Sequence, residues 1–369
     1  MFAIVLLSCI ALTGILIFSL PYWLIVANPF PPPSGKWQIG TSDLIWDRPN
    51  LSGIIAKVWY PTDLKNGIDS PYIDNIDRTL SALTKDLNPL LKLIFNKRYF
   101  DRLQIPAAKD ATIASHSNGF PVILFSPGLG GLNFLNTFYA LEFASYGFIV
   151  IGINHPGMSA TTLLTNGLHI GLNETAKELF KDVTNNLDRL ADKIINEQSD
   201  NISTVLDRVI SLNSTNDSFL DRKVDIEKIY TAGHSVGGSA SFIACGIDRR
   251  ISKAINFDGY FFDSDDTNYS NKELLLITGD RDRYPKSRAL RHKYQMDLTF
   301  TKDRTRVEQL SAKANLKQQV CRSADHFNFS DISLIIKPAF GKATGFIGDV
   351  DGRKLLSETA TIAIEFLNT

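Results

Sequence analysis

The sequence predicts an α/β fold with a mostly parallel central sheet and helices on both faces, and three observations carry that prediction. Compact β-rich runs at Phe120–Phe125, Gly147–Ile153, Ile251–Phe257 and Leu274–Thr278 are separated by helix-like stretches, the rhythm of parallel crossovers. Several of these runs end in glycine, aspartate or histidine, at the edge of the sheet where such folds bind ligands. A further run, Lys228–Ala232, passes through Gly233–His234–Ser235–Val236–Gly237–Gly238 into small residues from Ser239 to Cys245. That is the strand, tight turn and helix of a nucleophile elbow.

Composition narrows the class. A chain of 369 residues with 44% apolar and 21% charged residues can bury a sizeable core. Lysine plus arginine equals aspartate plus glutamate at 39 each, so no global basic field exists to gather nucleic acid, and that role is rejected. Three cysteines cannot build a disulfide framework, and Cys245 and Cys321 are expected as buried thiols. Neither zinc spacing nor an H-E-x-x-H pair occurs among the cysteines and six histidines, so no metal is implied.

From the N-terminus, residues 1–35 carry no charged side chain and Phe2–Ala27 is almost wholly apolar, which predicts a membrane-spanning helix within 1–28. A secretory signal peptide is the rival, but the usual positive n-region is missing. The expected location is a single-pass membrane anchor with the catalytic domain outside the cytoplasm, or a secreted protein if the segment is removed. The proline-rich stretch 29–36 excludes helix and reads as an extended linker, with one domain following over 37–369. Trp37–Tyr60 alternates around a turn signal at Asn50–Ser52–Gly53 and predicts a β-hairpin. Leu80–Leu103 predicts a core-packing helix, with Leu90–Phe95 beside Lys97 and Arg98 as a possible lipid-facing patch.

After the strand at Phe120–Phe125 comes Ser126–Pro127–Gly128–Leu129–Gly130–Gly131, a turn able to point backbone N–H groups into a crevice. Leu129 N–H and Val236 N–H are the expected oxyanion donors. Asn136–Tyr146 predicts a helix and Gly147–Ile153 a buried strand, while His155 beyond it reads as a structural turn histidine. Over about 174–212, Leu179, Val183, Leu187, Leu190, Ala191, Ile194 and Ile195 recur at helical spacing, a helical insertion that either walls the site or packs on the sheet.

Ser235 is the expected nucleophile: glycines at 233 and 237 remove the Cβ atoms that would collide in so tight a turn. A serine hydroxyl needs a base and an orienting acid. Asp258 and Asp282 each follow a later strand and either could reach the rim that carries Ser235. His326, in the loop after a last short strand at Gln318–Cys321, is the expected base, and the order Ser, Asp, His matches the α/β-hydrolase chain order. His116 and His292 lack that context and are rejected.

These blocks together resemble the platelet-activating-factor acetylhydrolase family of α/β-hydrolases, from about Gly35 to the C-terminal helix at Leu355–Leu367. The similarity is densest at Phe125–Gly130, Gly147–Val150, Gly233–Gly238, Asn256–Gly259 and His326–Asp331. The resemblance implies that Asp258 is the acid, with Asp282 as the alternate, as in dienelactone-hydrolase-like enzymes. It also implies a cofactor-free serine esterase acting on phospholipids with a short or oxidised sn-2 acyl chain. Pro127 and Val236 depart from the family's usual histidine and phenylalanine, which bears on pocket shape and not on the backbone donors. The competing expectations are a general carboxylesterase or polyester hydrolase, and a silent membrane-tethered binding protein on the same scaffold.

Overall fold

A computed structural model describes residues 24–48, 51–64, 69–85, 97–164, 168–181, 183–262, 267–282 and 296–369. The expected anchor falls almost entirely on residues 1–23, and Leu90–Phe95 and His292 likewise lie outside the described residues. Among the described residues no helix is long and apolar enough to cross a membrane.

The chain opens with β1 (Gln38–Arg48) and β2 (Leu51–Thr62), antiparallel partners from Gln38↔Thr62 to Arg48↔Leu51, the expected hairpin. A two-residue strand β3 (Ala108–Lys109) adds to β1, and then come β4 (Phe120–Ser126), α1 (Thr137–Ser145) and β5 (Ile149–Ile153). Next follow α2 (Glu174–Lys181), α3 (Val183–Asn213), β6 (Val224–His234) and α4 (Val236–Ile247). The chain closes with β7 (Ile251–Phe257), β8 (Glu273–Thr278), α5 (Met296–Lys313), β9 (Asn315–Val320) and α6 (Gly352–Asn368).

The nine strands form one sheet in the order β9-β8-β7-β6-β4-β5-β2-β1-β3. The six from β9 to β5 are parallel, while β2 joins β5 antiparallel. Buried on both faces, the parallel strands read as continuous apolar runs whose alternate residues face opposite layers. Val122 and Leu124 of β4 pack with Ile195, Val205 and Val209 of α3 and Phe242 of α4. Ile123 and Phe125 pack on the other face with Phe138 and Tyr139 of α1 and Leu356 and Ile364 of α6. The helical stretch α2–α3 is thus the crossover between β5 and β6, and α3 lies across the sheet as a core layer.

The proline-rich stretch does not cross open space. Phe30 is buried with its ring 5.0 Å from Tyr72, Ser34 Oγ donates to Glu142 Oε2 at 2.6 Å, and Gly35 N donates to Ser145 Oγ at 3.0 Å. Prolines hold it extended, and the domain surface holds it down.

Register sets the rim on which chemistry can occur. Ser126 pairs with Gly233, Gly233 with Asn256, and Phe257 with Ile277, so β4, β6, β7 and β8 end level with one another. Beneath that rim Phe257 stacks on Tyr139 at 4.2 Å between centroids and on Phe125 at 6.3 Å. Each such pair adds about 0.5–1.5 kcal/mol beyond area burial, which fixes the strand ends that carry the loops.

Candidate active site

Ser235 sits where β6 turns into α4, with φ 58° and ψ −129°, a conformation that costs a non-glycine residue roughly 1–3 kcal/mol. Its backbone is held from both sides: Ser235 N donates to Phe257 O at 2.9 Å, and Gly238 N donates to Ser235 O at 2.9 Å. The turn is tight enough that a Cβ on Gly233 would overlap the Gly237 carbonyl, and one on Gly237 would overlap the Ser126 carbonyl. The Ser235 hydroxyl is half-exposed and makes no hydrogen bond to the protein among the described residues, His326 included. Contacts of this kind often close only in the Michaelis complex.

Asp258 follows β7 with φ 55°, and its N–H donates to Ile277 O at 2.7 Å, so the backbone turns sharply while still tied to β8. Its buried carboxylate accepts from Gly279 N at 2.9 Å through Oδ1 and meets His326 Nδ1 at 2.7 Å through Oδ2. Burial alone would raise this carboxyl, but the His326 hydrogen bond, the Arg281 and His326 charges and the Gly279 N–H outweigh it and hold it at about 2. The acid is therefore ionised wherever an imidazole could serve as base.

His326 opens a short 3-10 turn, His326–Phe329, with Asp325 as its N-cap. Asp325 Oδ1 accepts from His326 N at 2.7 Å and Asn328 Oδ1 from Asp325 N at 2.8 Å, a reciprocal cap that fixes where the imidazole starts. The ring lies 4.7 Å from that of His234, whose Nε2 donates to His326 O at 3.1 Å. Since His234 immediately precedes Ser235, this bond ties the His326 turn to the elbow. His234 is buried, and desolvation pushes it down to about 3, so it is a neutral strut.

The turn after β4 lies against Ser235: a Cβ on Gly128 would stand 3.0 Å from Ser235 Cβ. Gly130 N donates to Met158 O at 2.8 Å and Gly131 N to Gly128 O at 2.8 Å, which locks the turn. Among the described residues the N–H groups of Leu129 and Val236 have no protein acceptor, and Val236 is the first residue of α4, where the helix dipole favours negative charge.

The structure thus joins Asp258 to His326 and ties both loops to the elbow, through His234 to the His326 carbonyl and through Gly259 against the Ser235 carbonyl, with Leu129 and Val236 at the same rim. It does not bring Asp282 there: that side chain is 80% exposed and pairs with Arg304 at 3.2 Å. His116 binds Gly119 O through Nδ1 at 2.9 Å, in a turn at the start of β4, the opposite end from the site. Among the described residues no group of three or more histidine, cysteine, aspartate or glutamate side chains is arranged to hold a metal ion. Cys245 and Cys321 are buried thiols, each pushed up to about 12 by burial.

The reading of His155 as a structural histidine holds, whereas its exact place and the duty of Asn256 escaped the sequence. His155 is fully buried behind the turn after β4, where its Nε2 meets Ser126 Oγ at 2.9 Å and its Nδ1 meets Asn201 Nδ2 at 3.4 Å. Asn256 Oδ1 accepts from Gly259 N at 2.7 Å and shapes the turn just past the acid. The Asn256–Gly259 block was visible in the sequence, although the amide's duty was not.

Comparison with known proteins gives a consistent picture. A family model described as platelet-activating factor acetylhydrolase, isoform II, matches residues 26–369. The platelet-activating factor acetylhydrolase of Bos taurus is 26% identical over 367 residues, covering 92% of this chain and 77% of that protein. That of Canis lupus familiaris is 24% identical over 364 residues, covering 91% and 76%. Among solved structures, a ferulic acid esterase from Streptomyces cinnamoneus superposes with a TM-score of 0.68 at 19% identity over 93% of each chain, a likeness of fold.

Proposed function

We infer the reaction from two facts: the chain belongs to the platelet-activating factor acetylhydrolase, isoform II, family, and its Asp258 and His326 are hydrogen-bonded to each other on loops tied to the elbow of a strained, half-buried serine. The protein is a carboxylic ester hydrolase of that family. In our reading Ser235 Oγ attacks the ester carbonyl while His326 Nε2 takes its proton. Asp258 holds the Nδ1 proton and stabilises the imidazolium, which fixes the tautomer the base needs. The Leu129 and Val236 N–H groups receive the oxyanion, where loss of one such donor typically costs about a hundredfold to a thousandfold in rate. His326 then returns the proton to the leaving alcohol, and water repeats the sequence on the acyl-serine.

The single observation that carries this reading is the 2.7 Å bond between Asp258 Oδ2 and His326 Nδ1, because it turns Nδ1 to the carboxylate and leaves Nε2 as the nitrogen able to take a proton from Ser235. For substrate, the reading is a phospholipid with a short or oxidised sn-2 acyl chain, supported by the family and by the curated relatives' names. An apolar rim suits an amphiphilic ester: Phe327 and Phe346 are 36% and 45% exposed with rings 5.9 Å apart, and the Phe327 ring is 5.3 Å from His326.

Labelling with a fluorophosphonate tests the chemistry. Wild type should take up one label per chain, and Ser235→Ala should take up none; retained labelling in the variant, or none in wild type, overturns the reading. Hydrolysis of a short-acyl phosphatidylcholine set against a short-chain aryl ester then tests the substrate. Turnover of the aryl ester alone would leave a general carboxylesterase.

A further inference from the structure

We propose that Arg281 and Asp303 form a buried clasp that positions Asp258 and balances the charge against which the Asp258–His326 pair works. This rests on the esterase reading above and adds two positioning residues to it.

The clasp grips the acid's loop along its length. Arg281, in the loop after β8 with only 17% of its side chain exposed, places Nε 3.6 Å from Asp258 Oδ1. One terminal nitrogen pairs with Asp303 Oδ2, and the other donates to Gly259 O at 3.3 Å. The guanidinium lies over the Tyr260 ring at 5.0 Å and the Phe300 ring at 5.9 Å. Asp303, on α5 and 2% exposed, uses its other oxygen to accept from Phe261 N at 2.6 Å. Residues 258–261 are therefore held at four successive positions by two side chains.

Tying a loop to a helix does not require charge. Removing two ions from water costs several kcal/mol each, and apolar residues of similar volume often serve as well or better. What an ion pair supplies that an apolar pair does not is a field, and this one is aimed at the acid. Arg281 favours the ionised Asp258 and opposes a positive charge on His326, whereas Asp303 offsets Arg281. Among the described residues, the other groups facing the pair are neutral His234 from the elbow, Tyr260 from the acid's loop, Asp325 from the histidine's own turn and the Cys321 thiol, pushed up to about 12, just after β9. The loop after β8, which supplies the acid in the Asp282 alternative, here supplies the acid's counter-charge.

The two members should therefore act in opposite directions, which a purely structural tie would not do. The readout is kcat/KM for a short-chain aryl ester against pH, with active sites counted by fluorophosphonate. Losing the cation in Arg281→Met makes the imidazolium easier to form and should move the acidic limb to higher pH. Losing the anion in Asp303→Asn, which keeps the acceptor for Phe261 N, should move it to lower pH. Each shift is on the order of one pH unit for a charge several ångströms away at an effective dielectric near 20. Arg281→Lys should restore the limb while turnover stays below wild type, and the double variant Arg281→Met/Asp303→Asn should return the limb close to its wild-type position. Limbs that stay put, or that move the same way in both single variants, overturn the proposal. Should Arg281→Met fail to fold, Asp303→Asn and Arg281→Lys decide alone. Labelling that survives Ser235→Ala would instead sink the esterase reading.

Discussion

His326 and His155 stand on either side of the elbow and differ in everything except the side chain. His326 is 37% exposed and shares a hydrogen bond with an ionised carboxylate. His155 is 0% exposed and, among the described residues, its ring hydrogen-bonds only a hydroxyl and an amide, and desolvation pushes it down to about 3. An imidazole becomes a base when it has solvent or substrate on one side and a fixed anion on the other. Deprived of both, it is a neutral hydrogen-bonding block under the turn after β4, where it steadies Ser126 and through it the turn that begins at Pro127.

Exchanging each histidine for glutamine is the severest way to break that contrast. His326→Gln should cost about 10⁴- to 10⁶-fold in kcat with a melting curve close to wild type. His155→Gln should keep turnover within about tenfold but lower the unfolding free energy by about 1–3 kcal/mol, measured by urea titration. Comparable losses of activity in both variants would erase the distinction.

A second contrast lies in stability against pH. His155 and His234 remain neutral in the fold at pH values where the unfolded chain, with its histidines at 6.5, takes up protons. Their contribution is therefore complete above pH 6.5 and is lost as pH falls toward 3, with a limiting slope of about 1.4 kcal/mol per pH unit for each histidine. Urea titrations between pH 4 and 7 should show that slope, and His155→Gln should remove its share. An unchanged slope in the variant would mean that His155 is protonated in the fold.

The mildest prediction probes the oxyanion turn. In Gly128→Ala the new Cβ would stand 3.0 Å from Ser235 Cβ, so either the turn or the serine must yield by a few tenths of an ångström. Overpacking of this size costs about 1–3 kcal/mol, and we expect kcat to fall about tenfold or more while KM changes little. A rise in KM with kcat intact would place Gly128 in binding alone.

Much of this was legible in the chain. The runs at Phe120–Phe125 and Ile251–Phe257 became parallel strands because uninterrupted apolar sequence marks burial on both faces. The elbow was legible because its glycines answer to steric demands within five residues. Asp258 and Asp282 could not be separated by their residues alone, since both follow parallel strands at the same rim. The left-handed backbone at Asp258 and the reciprocal cap around Asp325 decide which carboxylate meets the imidazole, and neither is a pattern of periodicity. The Arg281–Asp303 pair was illegible for a related reason: it joins a loop to a helix, and each residue alone reads as an ordinary surface charge.

The most direct measurement is kcat/KM for a short-acyl ester in Asp258→Asn and Asp282→Asn, side by side with wild type. If Asp258 holds the imidazole for Ser235, the first substitution should cost about 10³- to 10⁴-fold and the second less than about twofold, since its side chain is 80% exposed and pairs with Arg304. Near-normal turnover in Asp258→Asn, or a collapse in Asp282→Asn, would contradict the account.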